Sequence, residues 1–385
     1  MKRNNKWGKS FLFLFSIFAL LTFTSLYISN PLKKIRAEEE KNTINKELSK
    51  ESSQEKTITI RSVGDILLHD SVYWNGEIAS GSYNFDPMFK SVSKYLENAD
   101  LTTANMETLV AGNQMGVSSY PFFNVPDQIV DSLLAMGVDI VSAATNHTMD
   151  FGAEGAHRSL EILKEKKMEY VGSYESWEDY NRLRIIEKNG IKVGFLNYTY
   201  GTNGNPIPED EQYLVTLIDK KLIPLEVQHI KKACDVVIVI YQFGEDAFLP
   251  VDSQIELTQL AIDAGANFVL GGHSHIMQPM KRFNDHQGAW YSHGNFLSGQ
   301  VKEYEKIGGI GEYTFKMDDQ GKVTLDSMRL MPTYNVGLPE WNHYQVIPLV
   351  EASDFGLWNG DELYKEVESR FKNYEQDLEF VPYLD

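Results

Sequence analysis

The stretch ANFVLGGHSHIMQ, residues 266–278, does most to decide the fold of this chain. It opens with an apolar run, after which two glycines lead into two histidines, and such a run bounded by turn residues predicts a buried strand. The preceding stretch DSQIELTQLAIDAG, residues 252–265, repeats apolar residues at helical spacing and ends on glycine. Together they predict a helix followed by a strand, with both imidazoles at the carboxyl end of that strand.

The same alternation of strand and helix recurs along the chain. Two further stretches predict helices, DQIVDSLLAMG at 127–137 and GAHRSLEILKEKK at 155–167. Other apolar, β-rich runs predict strands, namely ITIRSVGDILL at 58–68, ADLTTANMET at 99–108, VDIVSAATNH at 138–147, IKVGFLNYTY at 191–200 and DVVIVIYQFG at 235–244. After about residue 280 strands and turns prevail, with a last helix expected near residues 361–378. This order is typical of an α/β protein, and the carboxyl-terminal part is expected to form a second sheet or subdomain.

Composition bounds the classes to which this chain can belong. Its 385 residues, 42% of them hydrophobic, are enough to bury a large core, and a single cysteine excludes a small fold held by disulfides. The formal net charge is -18, and because residues 1–36 contain basic but no acidic side chains, the remainder is more acidic still. Such a surface repels nucleic acid and has no general attraction for a polyanionic polymer. Any anion that it handles must therefore meet a local cation, such as a bound metal.

The amino-terminal region predicts export and a membrane anchor. Residues 10–28, SFLFLFSIFALLTFTSLYI, carry no charge and are long enough to cross a bilayer as one helix. Basic residues before this run predict a cytoplasmic amino terminus, so the domain should face outward from the cell membrane as a single-pass protein. A cleaved secretory signal is the alternative, although the run exceeds a usual signal core and no Ala-x-Ala site follows it closely. The predicted organisation is a cytoplasmic tail and signal anchor at 1–36, a polar stalk at 37–56, the main domain at 57–300, and strands with a helix that complete it at 301–385.

Polar residues of metal-binding types follow several of the predicted strands. Asp65 and Glu107 bring carboxylates, Asn146 an amide oxygen, and His273 and His275 imidazoles. Ligands of open α/β sheets bind outside the carboxyl ends of the strands, so these side chains are expected to converge there. His-x-His spacing on an extended segment would direct both imidazoles to the same side. The mixed nitrogen and oxygen shell suits one or two divalent ions of zinc, manganese or iron.

His147 and Asp150 are the candidate catalytic residues. A dinuclear centre can activate water and hold the attacking and leaving oxygens at phosphorus or a similar centre. His147 would then stand beside the metals as a general acid, and Asp150 would orient its imidazole through a ring N–H. Each motif also has a plain structural explanation, with Asp65 as a turn residue, Glu107 as a solvated loop residue, and residues 146–152 as a helix cap. Gly-Gly-His-x-His is harder to explain by packing, and the ordered series as a whole favours a metal site.

An ordered series of motifs runs from residue 64 to residue 296. It comprises GD at 64–65, NME at 105–107, ATNHTMDFG at 144–152, GGHSHIMQP at 271–279 and HGNF at 293–296. Over about residues 57–300 this series resembles the CapA (PgsA) capsule-synthesis family, which is similar in fold to calcineurin-like metallophosphatases. The resemblance implies a metallophosphatase-like α/β/β/α sandwich of two mixed sheets flanked by helices, preceded by a single transmembrane anchor. It also implies a catalytic-type histidine and a set of metal ligands, which are His147 and then Asp65, Glu107, Asn146, His273 and His275.

One position departs from the family pattern. Where family members commonly have His-Trp-Gly after the fifth strand, this chain has Gln242-Phe243-Gly244. A glutamine amide is a much poorer ligand for a transition metal than imidazole, so one of two metal positions is expected to be weakened. Compensation is conceivable from His69, Glu245 or Asp246, and the sequence does not choose between them.

Known members of that family are membrane-anchored, external components of poly-γ-glutamate synthesis and export, and they work with a ligase and a small membrane partner. By resemblance, this chain is expected to act in poly-γ-glutamate capsule synthesis, beside the polyglutamate synthase complex and its polyanionic polymer. Two alternatives stay open. One is a secreted metal-dependent phosphoesterase that acts on a cell-wall, lipid or nucleotide phosphodiester. The other, which Gln242 favours, is a non-catalytic domain that binds a polymer or partner through a degraded metal site.

Overall fold

The structure, a computed structural model, describes residues 55–244, 247–337 and 344–385. The predicted signal anchor at 1–36 lies outside these residues, as does the predicted stalk up to residue 54. Among the helices of the described part, none is both long and apolar enough to span a membrane.

The strands carry most of the buried positions. In chain order they are β1 Lys56–Leu67, β2 Glu77–Ala79, β3 Ser82–Tyr83, β4 Leu101–Asn105, β5 Ile140–Ser142, β6 Glu169–Val171, β7 Arg184–Lys188, β8 Ile191–Thr199, β9 Val236–Gln242, β10 Phe268–Gly272, β11 Met277–Asn284, β12 Gln287–His293, β13 Asn295–Ser298, β14 Ile307–Met317, β15 Val323–Val336, β16 Gln345–Pro348 and β17 Glu379–Phe380.

The helices lie between these strands. In chain order they are α1 Asp70–Gly76, α2 Asp86–Phe89, α3 Ser93–Glu97, α4 Gln128–Ala135, α5 Gly152–Glu165, α6 Trp177–Asn181, α7 Leu222–Ile230, α8 Asp252–Ala264 and α9 Gly360–Tyr374. Short 3₁₀ turns lie at Asn113–Met115, Gln212–Leu214, Glu303–Lys306 and Leu349–Glu351. Helix α8 agrees closely with the helix predicted at 252–265, and Gly265 ends it in the left-handed conformation with φ 113°.

The strands of the described part form two mixed sheets and one small hairpin. The first sheet has nine strands in the order β16-β15-β14-β1-β4-β5-β6, with β13 paired to β1 and β17 paired to β15. The second has six strands in the order β11-β12-β10-β9-β8-β7, and β2 pairs with β3 in the hairpin. Strand β1 pairs with β4 on one side and with β14, in antiparallel orientation, on the other. Strands β14 to β16 therefore extend the first sheet. The expectation that the carboxyl-terminal part forms a second sheet or subdomain is wrong in this respect.

Strand β9 shows how the sequence pattern follows from burial on both faces. Its residues VVIVIYQ are all buried. Val236 and Ile238 lie in a core shared with the first sheet, whereas Val237 and Val239 lie in a core shared with α7 and α8. Successive side chains of a strand point to opposite faces, so a strand between two cores needs apolar residues at consecutive positions.

Three apolar cores of the described part separate four layers. The central core joins the two sheets and includes Ile60 of β1 and Phe268 of β10. A second core, with Leu133 of α4 and Leu160 of α5, covers the outer face of the first sheet. The third core, with Val227 of α7, covers the outer face of the second sheet. The layers therefore run helix, sheet, sheet, helix, and the predicted mixed α/β class is confirmed.

Candidate metal centre

Parallel strands of both sheets end at the candidate centre. In the first sheet β1, β4 and β5 are parallel neighbours, and in the second sheet β8, β9 and β10 are. The segments at the carboxyl ends of these strands carry Asp65, Glu107, Asn146, Gln242 and His273. The side-chain amides of Asn105 and Gln242 connect these residues through contacts of 2.7–3.4 Å. The structure thus brings the predicted ligands together, where the sheet topology leads one to expect a ligand.

Asp65 and Glu107 are two carboxylates with 0% of their surface exposed. Burial alone would raise the pKa of Asp65, but the hydrogen bond and charge of His275, together with a hydrogen bond from Asn105, lower that pKa below its usual value. Burial and the nearby charge of Asp65 raise the pKa of Glu107 well above its usual value. Two carboxylates this close in a dry site repel each other, and a bound cation would relieve the repulsion.

His273 and His275 stand on the turn after β10 with left-handed backbone angles, φ 82° and φ 54°. The expectation that an extended His-x-His segment directs both rings to one side is therefore wrong, because the strand ends at Gly272 and the chain turns there. The turn still aims both rings inward. Nδ1 of His275 lies 3.1 Å from Asp65 Oδ2, and Nδ1 of His273 lies 3.4 Å from Glu107 Oε1. Left-handed backbone at a non-glycine residue costs roughly 1–3 kcal/mol and is typical of functional sites.

The carboxylates of Glu107 and Asp65 raise the pKa of His275. Burial lowers the pKa of this imidazole, but the charges of Glu107 and Asp65 outweigh burial and raise the pKa to about 9. Without a cation, His275 is therefore protonated at neutral pH and balances part of the negative charge of the site. A metal ion must displace this proton, because only neutral imidazole binds metal.

Two side-chain amides connect the carboxylates of the two sheets. Asn105 Nδ2 donates to Asp65 Oδ1 at 2.7 Å and to Gln242 Oε1 at 3.0 Å. Gln242 Nε2 donates to Glu107 Oε1 at 2.7 Å and to Asn146 Oδ1 at 3.0 Å. A Cβ at Gly272 would approach Asn105 Nδ2 to 2.6 Å, so a residue without a side chain leaves room for this network.

The donor atoms fit a divalent cation. In the described part of the chain, Glu107, His273 and His275 each offer one ligand atom, and these atoms lie within 4.8 Å of one another. Oε2 of Glu107 is buried and has no hydrogen-bond partner. An unsatisfied buried carboxylate oxygen is costly, and a cation beside it would remove that cost. Imidazole and carboxylate together suit zinc, manganese or iron.

His147 and Asp150 form a buried pair beside the centre. His147 Nδ1 lies 2.7 Å from Asp150 Oδ2, and the same oxygen accepts a hydrogen bond from the backbone N–H of Phe123 at 2.7 Å. The Phe123 ring packs edge-on against the imidazole, with the ring centres 4.7 Å apart. Because the carboxylate holds the proton on Nδ1, Nε2 is the nitrogen that can exchange a proton.

Two other histidines near the centre, His69 and His293, have different surroundings. Nδ1 of His69 contacts the backbone of Leu67 and Gly299 at 3.1 and 3.3 Å, and burial lowers its pKa. His293 is buried beneath the centre, where burial lowers its pKa to about 4 and keeps the ring neutral. Its ring nitrogens contact Gly271 O and Ser62 Oγ at 2.7 and 2.8 Å, which gives it a role in packing. The other two residues considered as substitutes for a histidine at position 242, 245 and 246, lie outside the described residues.

Sequence reasoning assigned no role to two buried asparagines that shape the site. Asn105 orients Asp65, as described above. Asn197 Oδ1 accepts a hydrogen bond from Ala144 N at 2.7 Å, and its Nδ2 donates to Ile240 O at 3.3 Å. Asn197 thereby ties the segment after β5 to the second sheet. The available signal was an asparagine within a run predicted to be a buried strand, since such a residue needs hydrogen-bond partners.

Two relatives from Bacillus are similar over most of this chain. "Capsule biosynthesis protein CapA" from Bacillus anthracis is 28% identical over 283 residues, which cover 71% of this chain and 67% of that protein. "PGA biosynthesis protein CapA" from Bacillus subtilis (strain 168) is 24% identical over 264 residues, which cover 68% of each.

Two solved structures align with this chain at low sequence identity. NAD nucleotidase (NadN) from Haemophilus influenzae is 13% identical, with a TM-score of 0.45, over 86% of this chain and 65% of that chain. A 5'-nucleotidase precursor from Thermus thermophilus is 15% identical, with a TM-score of 0.42, over 76% of this chain and 54% of that chain. This chain thus spans less than two thirds of the length of either structure.

A family model matches the part of the chain that carries the candidate centre. The model described as "Bacterial capsule synthesis protein PGA_cap" matches residues 59–300. That range is more than half of the 385 residues and contains the whole motif series from residue 64 to residue 296. The resemblance seen in the motifs is therefore confirmed, and this chain belongs to the PGA_cap family of bacterial capsule synthesis proteins.

Proposed function

We propose that this protein acts in the synthesis of a poly-γ-glutamate capsule, as a component of the CapA type. The observation that carries the proposal is the family match over residues 59–300, which includes all the residues of the candidate centre. The names of the two Bacillus relatives, which cover about two thirds or more of this chain, support the same role. Participation alongside the polyglutamate synthase machinery and contact with its polyanionic polymer belong to this proposal.

The proposed fold type is that of the metallophosphatases. The support for it is the order of layers, helix, sheet, sheet, helix, with a cluster of carboxylates and imidazoles at the carboxyl ends of parallel strands. On this proposal Asp65, Glu107, Asn146, His273 and His275 are the residues around a divalent cation.

A divalent cation at this centre would supply Lewis-acid chemistry and a positive charge in a protein whose formal net charge is -18. Glu107 and His275 are the residues best placed to hold it, since Oε2 of Glu107 has no hydrogen-bond partner and lies 3.6 Å from His275 Nδ1. His147, fixed by Asp150, would hold or donate a proton at Nε2 on the side of the bound group. The centre would thus provide the local attraction for a carboxylate or phosphate that the acidic surface lacks.

The proposed location is the outer face of the cell membrane. The uncharged run at residues 10–28 would anchor the chain, and the polar stalk at 37–56 would hold the domain away from the lipid. Protease added to intact cells should then remove the domain and leave a short membrane-bound fragment. Full protection of the domain in intact cells would contradict this topology.

Deletion of the gene for this protein is expected to reduce surface poly-γ-glutamate to background in cells that make this polymer. Re-expression of the unaltered chain should restore the polymer, whereas the variant His275→Ala should not. His229→Ala is the matched control, because His229 is exposed on α7, away from the centre. The measurement is the glutamate released by hydrolysis of washed surface polymer. Unchanged polymer after deletion, with the synthase intact, would contradict the proposed function.

A second candidate function is metal-dependent hydrolysis of a phosphodiester. The specific observation in its favour is the buried pair of His147 and Asp150, with 2.7 Å between Nδ1 and Oδ2. The purified full chain should then hydrolyse bis(p-nitrophenyl) phosphate in the presence of Mn²⁺, Zn²⁺ or Fe²⁺. His147→Ala should lower kcat by about 10²–10⁴-fold, the usual contribution of general acid catalysis. His286→Ala, outside the centre, is the control, and no turnover with any of the three ions would leave only the binding role.

A further inference from the structure

The orientation of the Gln242 amide is determined by its neighbours. The nitrogen of the Asn105 amide lies 2.7 Å from Asp65 Oδ1, and the oxygen of the same amide accepts a hydrogen bond from Ser142 Oγ at 2.7 Å. This agrees with the chemistry of a carboxylate, which can only accept. The same nitrogen lies 3.0 Å from Oε1 of Gln242. The oxygen of Gln242 therefore faces Asn105, and its NH₂ group faces the opposite side of the centre.

That NH₂ group stands among three atoms that would otherwise suit a metal ion. Gln242 Nε2 lies 2.7 Å from Glu107 Oε1, 3.0 Å from Asn146 Oδ1 and 3.4 Å from His273 Nδ1. An ion bound to the same three atoms at about 2.0–2.2 Å would have to occupy the space that the nitrogen fills. An amide NH₂ offers hydrogens to two acceptors but is no metal ligand in this orientation. On the side of the centre formed by Glu107 Oε1, Asn146 and His273, the acceptor oxygens therefore have hydrogen-bond partners without an ion.

In the other half of the centre the Asn105 amide donates to Asp65 Oδ1 at 2.7 Å, but no described residue donates a hydrogen bond to the second oxygen of Glu107. Oε2 of Glu107, the second oxygen of the same carboxylate, is buried without a hydrogen-bond partner. It lies 3.6 Å from His275 Nδ1, which lies 3.1 Å from Asp65 Oδ2. The imidazole of His275 therefore lies between the carboxylate of Asp65 and one oxygen of Glu107 that has no hydrogen-bond partner. This is the place where a cation has the most to contribute.

We propose that the centre holds a single divalent cation, on the side of Asp65, Glu107 Oε2 and His275, and that the NH₂ group of Gln242 takes the place of a second. The inference rests on the cation-binding centre of the proposed function and specifies its composition. A histidine at position 242 would remove the amide hydrogens and add an imidazole next to Glu107, Asn146 and His273. The chain would then acquire a second metal position.

The test is the number of ions per chain. The full chain is purified in detergent, freed of metal, loaded with Mn²⁺ or Zn²⁺, separated from free ions and measured by elemental analysis against amino-acid quantification. We expect about one ion in the unaltered chain and about two in Gln242→His, a twofold change. Gln242→Glu is the second variant, since it keeps the shape of the side chain and replaces the NH₂ group with an oxygen that can bind a cation next to Glu107. Gln114→His, at an exposed position in a 3₁₀ turn, controls for the addition of a histidine.

Three outcomes would overturn the inference in different ways. Two ions in the unaltered chain would show that Gln242 does not exclude the second, while the centre itself would stand. One ion in both Gln242→His and Gln242→Glu, with circular dichroism of the folded protein unchanged, would remove Gln242 as the cause. No ion in the unaltered chain, with either metal, would overturn the cation of the proposed function as well.

Discussion

His275→Ala should lower the affinity of the centre for Mn²⁺ or Zn²⁺ at least about 100-fold. Even loss of a residue that only supports a ligand costs 10–100-fold in metal affinity, and His275 is itself a candidate ligand. Its Nδ1 lies 3.1 Å from Asp65 Oδ2 and 3.6 Å from Glu107 Oε2, so the variant would leave both carboxylates without this imidazole. The measurement is competition with a chelator of known affinity, and His229→Ala, on the exposed face of α7, should bind metal as the unaltered chain does.

The pH dependence of metal affinity gives this experiment a second readout. Glu107 and Asp65 raise the pKa of His275 to about 9, so a proton occupies the imidazole below that pH and competes with the ion. Affinity should therefore fall as pH decreases from 9, by up to about tenfold per pH unit for one displaced proton. The variant His275→Ala has no imidazole to protonate at this position, so its affinity for the metal ion should change less steeply with pH below 9. Equal affinity and equal pH dependence in the two proteins would exclude His275 as a ligand.

Glu312→Gln is expected to reduce the free energy of unfolding by about 3–5 kcal/mol, the typical cost of removing one partner from a buried ion pair. Arg61, Glu312 and Arg329 lie opposite one another on the neighbouring strands β1, β14 and β15. Arg61 is 3% exposed and Glu312 is 4% exposed, and Arg61 Nε donates to Glu312 Oε2 at 2.8 Å. Arg329 Nη1 donates to Glu312 Oε1 at 2.9 Å. A neutral amide would remove the carboxylate charge that faces the buried guanidinium of Arg61.

Urea unfolding measures this effect directly. The midpoint should fall while the slope with urea concentration stays the same, since the surface exposed on unfolding does not change. Glu368→Gln is the matched control, because Glu368 pairs with Lys372 one turn away on α9 and both side chains are substantially exposed. Such a surface pair contributes about 0.2–1 kcal/mol. A midpoint for Glu312→Gln no lower than that of the control would contradict a stabilising role for the buried network.

The family and the class of fold could be predicted from local sequence patterns, because buried positions of strands and helices are occupied by apolar residues. The apolar run of β9 predicts a strand covered on both faces, because alternate residues such as Ile238 and Val239 enter different cores. Helix α8 was predictable to within one residue, from its apolar spacing and from Gly265. The donors Asp65, Glu107 and His273 stood out as an ordered series at the ends of predicted strands, and Gly-Gly-His-x-His was the motif that packing explained least.

The tertiary structure decided how those donors face one another. The left-handed turn at His273 and His275 aims the rings at the carboxylates, whereas the sequence favoured an extended segment. Gln242 in the sequence indicated only a weakened metal position. Its partners Asn105 and Glu107, 137 and 135 residues away, lie at the end of β4 in the first sheet and just after that strand. Arg61 and Glu312 are 251 residues apart and meet only because β14 pairs with β1. Periodicity along the chain reports which face of an element is buried, but the direction of a hydrogen bond depends on the partner across the fold, and no local pattern contains that partner.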